Sequence, residues 1–221
     1  DLTTGEYRKA KKAKFATLEK TKKISNVADR FPILVSGTDK AGDFYRLAFA
    51  DLFAYVSNRM GEITDAIYKI DDAMKAGFGW EHGPFEIWDA IGLNEGIELV
   101  KKQNLQLPDW IEELAANQKS FYKVVEGKTH YYDTVLKSYQ NIPGREGFIL
   151  LNNVREKQTV YSNKDFSLID LGEGILCAEF QSKMNTIGAE VLAGLNKAVD
   201  IAEERFDGLV VGNQGANFSV G

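Results

Sequence analysis

The stretch GFGWEHGPFEIWDAIGL, Gly77 to Leu93, sets two tryptophans and two phenylalanines among glycines, one proline and one histidine. Its reading decides between a helical scaffold bent at glycines and an active-site loop. Gly77 is placed to stop the short helix that begins at Asp71, since glycine relieves the left-handed C-cap. Gly77 to Gly83 then reads as a tight connector. Pro84 fits the first turn of the next helix, where its missing N–H leaves no bond unmade. Phe85, Trp88 and Ile91 recur at three-residue spacing as that helix's apolar stripe, and Gly92 closes it. On this reading Phe78, Trp80, Phe85 and Trp88 are core aromatics that wedge two helices at a glycine bend. Stacking on a ligand is the competing use.

Upstream, Phe44, Leu47, Leu52, Tyr55, Val56, Met60, Ile63, Ile67 and Ile70 recur near three- and four-residue spacing. They predict one long helix over Asp43 to Ile70 with a single apolar face. Downstream, Asn94 is a candidate N-cap for a helix through Val100. Pro108 opens another, with Trp110, Ile111 and Leu114 inward. SFYKVVEGKTHYYDTV (Ser120 to Val135) reads as a hairpin or an irregular cover. The character changes near Pro143: an apolar run from Phe148 to Leu151 precedes a polar stretch to Asp165. FSLIDLGEGILCAEFQS (Phe166 to Ser182) predicts two strands around Gly172-Glu173-Gly174. Asn185 to Phe206 predicts an amphipathic helix with Ile187, Val191, Leu195, Val199 and Ala202 on one side. GLVVGN (Gly208 to Asn213) predicts a buried-type strand.

The 221 residues, 44% hydrophobic and 27% charged, suit one or two soluble globular domains. A net charge of −5 argues against nucleic acid as the main partner. The basic run RKAKKAK (Arg8 to Lys14) reads as a solvated helix face or linker, with a polyanion contact as the alternative. Cys177 is the only cysteine, which excludes an internal disulfide and fits a reducing, cytoplasmic compartment. No apolar run approaches the ~18 residues of a membrane span, and no signal peptide begins at Asp1. The missing initiator Met and the stop at Gly221 suggest a piece excised from a longer protein.

Chemistry-bearing residues are few. There are two histidines, His82 and His130, and no His/Cys/Asp/Glu cluster at metal spacing. No G-x-G-x-x-G follows a strand, and Gly212-Asn213-Gln214-Gly215 is not a phosphate loop. His82 beside Glu81 is either an acid–base pair or a local hydrogen-bonder in a turn.

The residues carry two family resemblances. GFGWEHGPFEIWDAIGL resembles the C-terminal helical domain of 3-hydroxyacyl-CoA dehydrogenases, and AYVSNRMGEITDA (Ala54 to Ala66) resembles the segment that opens it. Asn58 and Arg59 fall on that segment's Asn-Arg pair, which makes Asn58 a substrate-side candidate. The likeness covers about Asp43 to Leu93. Phe166 to Gly221 is similar to the opening of an enoyl-CoA hydratase (crotonase) domain: hairpin, Lys-Met-Asn, helix, strand, then Asn-Phe-Ser-x-Gly. There the loop after the strand supplies a backbone N–H of an oxyanion hole, worth several kcal/mol. Ser219 is the best match for that amide, with Val220 and Gly221 as register alternatives. Lys183 and Met184, with Asn185, match where crotonases contact coenzyme A.

Together the two likenesses resemble a bacterial bifunctional β-oxidation enzyme. They imply a mainly α fold: a dehydrogenase C-terminal-like helical domain, then an incomplete crotonase-type β-hairpin–helix–strand segment. The implied boundaries are 1–35 for the joint from a preceding repeat, 36–140 for the helical domain, 141–165 for a connector and 166–221 for the crotonase-like part. The implied substrates are coenzyme A thioesters (acyl-CoA), and the implied cofactor is NAD, bound by a domain absent here; no metal is expected. The implied partners are that NAD-binding domain and a preceding helical repeat, or a second copy in a homodimer. His82 stands where that family often has an apolar residue. A non-catalytic helical interaction module is the alternative function.

Overall fold

A computed structural model describes residues 3–7, 9, 13–215 and 217–220. Arg8, Lys11 and Lys12 of the basic run, and Gly221, lie outside the described residues. The chain divides into two compact units: Asp1–Lys123 with His130–Ile142, and Val124–Thr129 with Pro143–Gly221.

The first unit holds α1 (Ala16–Thr21), α2 (Arg30–Ser36), α3 (Lys40–Asn58), α4 (Ile67–Phe78), α5 (Pro84–Ile91), α6 (Leu93–Lys102) and α7 (Asp109–Asn117). Next come β1 (Tyr122–Val125), β2 (Lys128–Asp133) and β3 (Ser138–Asn141), paired in that order, with the β1–β2 tip, Val124–Thr129, counted in the second unit. The ambiguous Ser120–Val135 segment is therefore strand and turn. Asp39 caps α3, accepting from the amides of Ala41 and Gly42 at 3.1 Å each and from Thr17 N at 3.0 Å. Those donors, the Thr17 amide foremost, hold the Asp39 carboxyl down at about 2.

The helix expected over Asp43–Ile70 is two helices. α3 stops at Asn58, and Gly61 takes φ +82°, a left-handed turn that the 3.6-residue pattern cannot reveal. The apolar face is also rotated from the expected one. Phe49, Ala50, Phe53, Ala54 and Val56 are buried, whereas Phe44, Leu47, Tyr55 and Ile63 are exposed. α4 runs through Gly77 and ends on Gly79 at φ +67°, so Gly79 is the C-cap. Asn94 lies inside α6, which starts directly from Gly92 at φ +111°.

Half of the predicted aromatic wedge is correct. Phe85 and Trp88 are fully buried, and Trp88 stacks on Phe53 at 4.5 Å between ring centroids. Phe121 joins them at 5.0 Å from Phe85 and 5.1 Å from Trp88. Each such ring contributes roughly 2–3 kcal/mol by burial. Phe78 and Trp80 are instead 73% and 38% exposed, because α4 outlasts the expected bend and carries them past the core.

The second unit holds α8 (Leu151–Gln158), β4 (Thr159–Ser162), β5 (Phe166–Asp170), β6 (Ile175–Phe180), α9 (Ala189–Arg205) and β7 (Gly208–Val211). The stretch 141–165, read as a connector, thus forms α8 and β4. The sheet order is β4-β5-β6-β7. The predicted β5–β6 hairpin turns on Gly172, Glu173 and Gly174, all at positive φ. β6 and β7 are parallel, with α9 as the crossover. α9 buries Val191, Gly194, Ala198 and Ile201. Ile187 precedes the helix and Val199 points away from its packed side, so both are exposed. β7 is an edge strand, and Val210 and Val211 stand exposed there. On the other face of the sheet Arg155 grips the buried Glu179 through Nε–Oε2 at 2.9 Å and Nη2–Oε1 at 2.5 Å.

Candidate functional site

The motif Gly83-Pro84-Phe85-Glu86 is built around carboxylates. Asp71, fully buried on α4, accepts from Phe85 N at 2.9 Å, Glu86 N at 3.2 Å and the Tyr122 hydroxyl at 2.7 Å. It therefore caps the first turn of α5, whose early amides lack helical partners. Glu86 reaches back to Gly83 N at 2.8 Å and pairs with Lys75 at 2.7 Å. One helical turn on, Asp89 accepts from Phe121 N at 2.7 Å and Tyr122 N at 2.8 Å, fixing the start of β1. A Cβ on Gly83 would overlap the Asp71 backbone, so that position requires glycine.

Burial pushes Asp71 and Asp89 up to about 7, against the pull of their hydrogen bonds. Burial also drives Tyr122 far upward, with Asp71 adding to it. Lys75 loses some proton affinity to burial but is held up overall by Glu86 and Asp72. His82 faces Glu86, with Nδ1 at 3.9 Å from Oε2, and sets its ring edge-on to Phe31 at 5.8 Å. The adjacent Glu81 is not its partner. The carboxylates of Asp71, Glu86 and Asp89 each hold backbone amides, and the cluster forms a structural clasp.

Asn58 ends α3 and donates Nδ2 to Ala54 O at 2.8 Å and to Gln106 O at 2.9 Å. It borders an open depression of about 580 Å³ with Asp51 and Tyr55. Its amide nitrogen is committed to the fold, which leaves Oδ1 as the side chain's remaining acceptor.

Ser219, Lys183 and Met184 come together in the second unit. The segments that follow β6 and β7 leave the carboxyl ends of two parallel strands, where open α/β sheets commonly bind ligands. Ser219 Oγ donates to Asn185 O at 2.7 Å, and Asn185 Nδ2 donates to Asn217 O at 2.9 Å. Asn213 accepts from Phe180 N at 2.8 Å and donates to Phe218 O at 2.7 Å. Gln214 clamps the chain ahead of α8, accepting from Leu151 N at 2.8 Å and donating to Ile149 O at 2.6 Å. Met184 and Asn185 take φ +57° and +54°, a pair of left-handed residues in a turn whose Met184 side chain is exposed.

Reading the sequence missed Asp71, Asp89, Asn213 and Gln214. Gly83 followed three residues later by Glu86 was the available signal, since that spacing marks a helix start. Asp71 and Asp89 act across 14 to 51 residues, beyond any local pattern. Among the described residues no group of three His, Cys, Asp or Glu side chains is placed to hold a metal. The β6–α9 turn, Gln181 to Gly188, lacks the glycine spacing a dinucleotide needs, so these residues do not fit NAD. No helix among the described residues is long and apolar enough to cross a membrane.

Comparison with known proteins agrees with the first resemblance. Residues 50–131 match the profile of the 3-hydroxyacyl-CoA dehydrogenase C-terminal domain. The whole chain is 37% identical to a Bacillus subtilis (strain 168) protein named "Probable 3-hydroxyacyl-CoA dehydrogenase", of which it spans 28%. It is 27% identical, over 85% of its length, to a Rickettsia prowazekii (strain Madrid E) protein named as a fatty acid oxidation complex trifunctional enzyme, of which the match spans 23%. A Rickettsia felis protein of the same name is 26% identical over 81% of the chain and 22% of its own length. The chain thus spans about a quarter of the relatives it matches. No solved structure shows a significant match.

Proposed function

We propose that this chain is a central segment of a fatty-acid β-oxidation enzyme that oxidises 3-hydroxyacyl-CoA with NAD. The carrying observation is the identity of 37% running across the full chain to a relative with a dehydrogenase name. Within that enzyme the first unit is a scaffold. Its motif residues order helix α5 and strand β1, and NAD binds in a domain outside these residues.

The same polypeptide also hydrates 2-enoyl-CoA in this proposal. The loop cluster outside β6 and β7 supports that reading, with Ser219 N–H forming one wall of an oxyanion hole and Lys183 to Asn185 bordering coenzyme A. Val220 is the register alternative. Asn58 contributes to acyl-CoA binding only through Oδ1. A cytoplasmic location accompanies the reading.

The test is to assay the intact polypeptide carrying this sequence for NADH formation from 3-hydroxyacyl-CoA and for loss of the enoyl thioester absorbance. Both activities are expected. NADH formation alone would remove the hydratase half, and neither would remove the whole reading. Asn58→Ala is expected to raise KM for 3-hydroxyacyl-CoA a few-fold; unchanged kinetics would remove Asn58.

A second reading, a non-catalytic interaction or dimerisation module, draws on the exposed Phe44, Leu47, Tyr55, Phe78 and Trp80. It predicts an inactive polypeptide whose mass in solution exceeds one chain.

A further inference from the structure

The end of α3 and the side of α4 enclose a groove of about 410 Å³, walled by Val56, Ile63, Ile70, Ala73 and Met74. Arg59 and Lys69 also line it, and no acidic residue does. Glu62 pairs with Arg59 Nη1 at 2.7 Å but stands outside the lining. Arg59 Nε is buried with no hydrogen-bond partner among the described residues. Such an orphaned donor calls for an acceptor. Ile63 remains 65% exposed on the rim.

We propose that this groove binds a single-chain fatty acid, with its alkyl chain along Ile63, Ile70 and Met74 and its carboxylate at Arg59 and Lys69. The apolar walls select the chain. The two cations select an anionic head, and a guanidinium suits a carboxylate's paired oxygens. Tyr55, which also lines the groove, sets its ring 5.9 Å from the Arg59 guanidinium. At about 30 Å³ per water-sized group the groove holds roughly 14 groups, a chain of about ten to twelve carbons with its head. Asn58 does not line the groove, and the site is independent of any dehydrogenase or hydratase chemistry.

The experiment labels the intact polypeptide with a photoreactive diazirine analogue of dodecanoate and maps the cross-links by mass spectrometry. Labels are expected within residues 55–74, displaced by dodecanoate and not by dodecyltrimethylammonium. Ile63→Asp changes an exposed position that folding tolerates and adds a repelling charge; it should weaken dodecanoate at least about tenfold. Arg59→Gln should weaken it similarly. Labelling elsewhere, displacement by the cationic alkyl probe, or binding unchanged by Ile63→Asp would overturn the proposal. So would an unlabelled groove whose amides are protected from exchange, since a protein segment would then occupy it. NADH formation is followed in parallel, so failure of the enzyme reading leaves the labelling result interpretable.

Discussion

Two regions of this protein solve the same problem with opposite chemistry. Around α5 the chain satisfies orphan backbone amides with buried carboxylates, Asp71 and Asp89. Around the loops that follow β6 and β7 it uses the neutral side chains of Asn185, Asn213 and Gln214 on part-buried or exposed backbone. A buried carboxylate is a strong acceptor but expensive to desolvate; an amide is weaker and indifferent to pH. The first region is therefore rigid and pH-sensitive, while the second is held by many modest bonds. Loops of that kind are the ones able to adjust around a ligand.

The largest expected effect tests how tightly the first region is determined. Gly83→Ala places a methyl into the Asp71 backbone and its carboxyl, which no rotamer change relieves. Overpacking against backbone should cost about 3 kcal/mol. Urea unfolding followed by tryptophan emission reads the loss, since Trp88 is buried beside this site. A variant as stable as the parent would show that α4 and α5 can part freely.

Next in size is the pH dependence. Asp71 and Asp89 stand near 7 in the folded chain against 3.8 in the unfolded one. Between those values the folded state holds more protons, so stability is full below about pH 4 and falls as pH rises from there through 7, by about 4 kcal/mol for each carboxyl. Asp39 works in the other direction: held to about 2, its support is present above pH 4 and lost as pH falls towards 2. Asp71→Asn removes one acceptor oxygen and should cost about 2 kcal/mol at pH 4.5. Its penalty should shrink by pH 7.5, because asparagine carries no charge to bury. A penalty that grows with pH would mean that Asp71 is ionised comfortably in the fold.

Smaller effects are expected in the second region. Asn213→Ala and Gln214→Ala each remove two bonds to backbone and should cost about 1 kcal/mol. Hydrogen exchange is the sharper readout. The Phe180 and Leu151 amides should lose protection, with the same change at pH 5 and pH 8. A pH-dependent change would erase the contrast with the carboxylate clasp.

What the sequence revealed follows from the range of each interaction. Pro84, Phe85, Trp88, Ile91 and Gly92 were legible because helix starts, stripes and stops are local. The β5–β6 hairpin was legible from Gly172-Glu173-Gly174 for the same reason. The break after Asn58 was hidden, since Met60, Ile63 and Ile67 keep helical spacing across a turn set by Gly61. The rotated face of α3 was hidden too: Phe44, Leu47 and Tyr55 form as good a stripe as Phe49, Phe53 and Val56, and only tertiary packing chooses between them. The loop cluster of Ser219, Lys183 and Met184 follows from the parallel β6–α9–β7 order, whereas the side-chain amides that tie it together act across up to 65 residues.

The smallest expected effect sharpens the comparison within a single short stretch. Gly77 and Gly83 lie six residues apart, and composition alone gives them the same role. Gly77, though, sits inside α4 with nothing within 4 Å of a Cβ built on it, and Gly79 performs the left-handed stop. Gly77→Ala therefore meets no steric penalty and gains alanine's helix propensity and a less flexible unfolded chain. It should raise stability by about 0.5–1 kcal/mol, visible as a higher urea midpoint with an unchanged slope. A loss of stability would place the end of α4 at Gly77, draw Phe78 and Trp80 back towards the core and restore the four-aromatic wedge. A gain would confirm that two of these four aromatics belong to the surface, and that the bend is made by Gly79 and locked by Gly83.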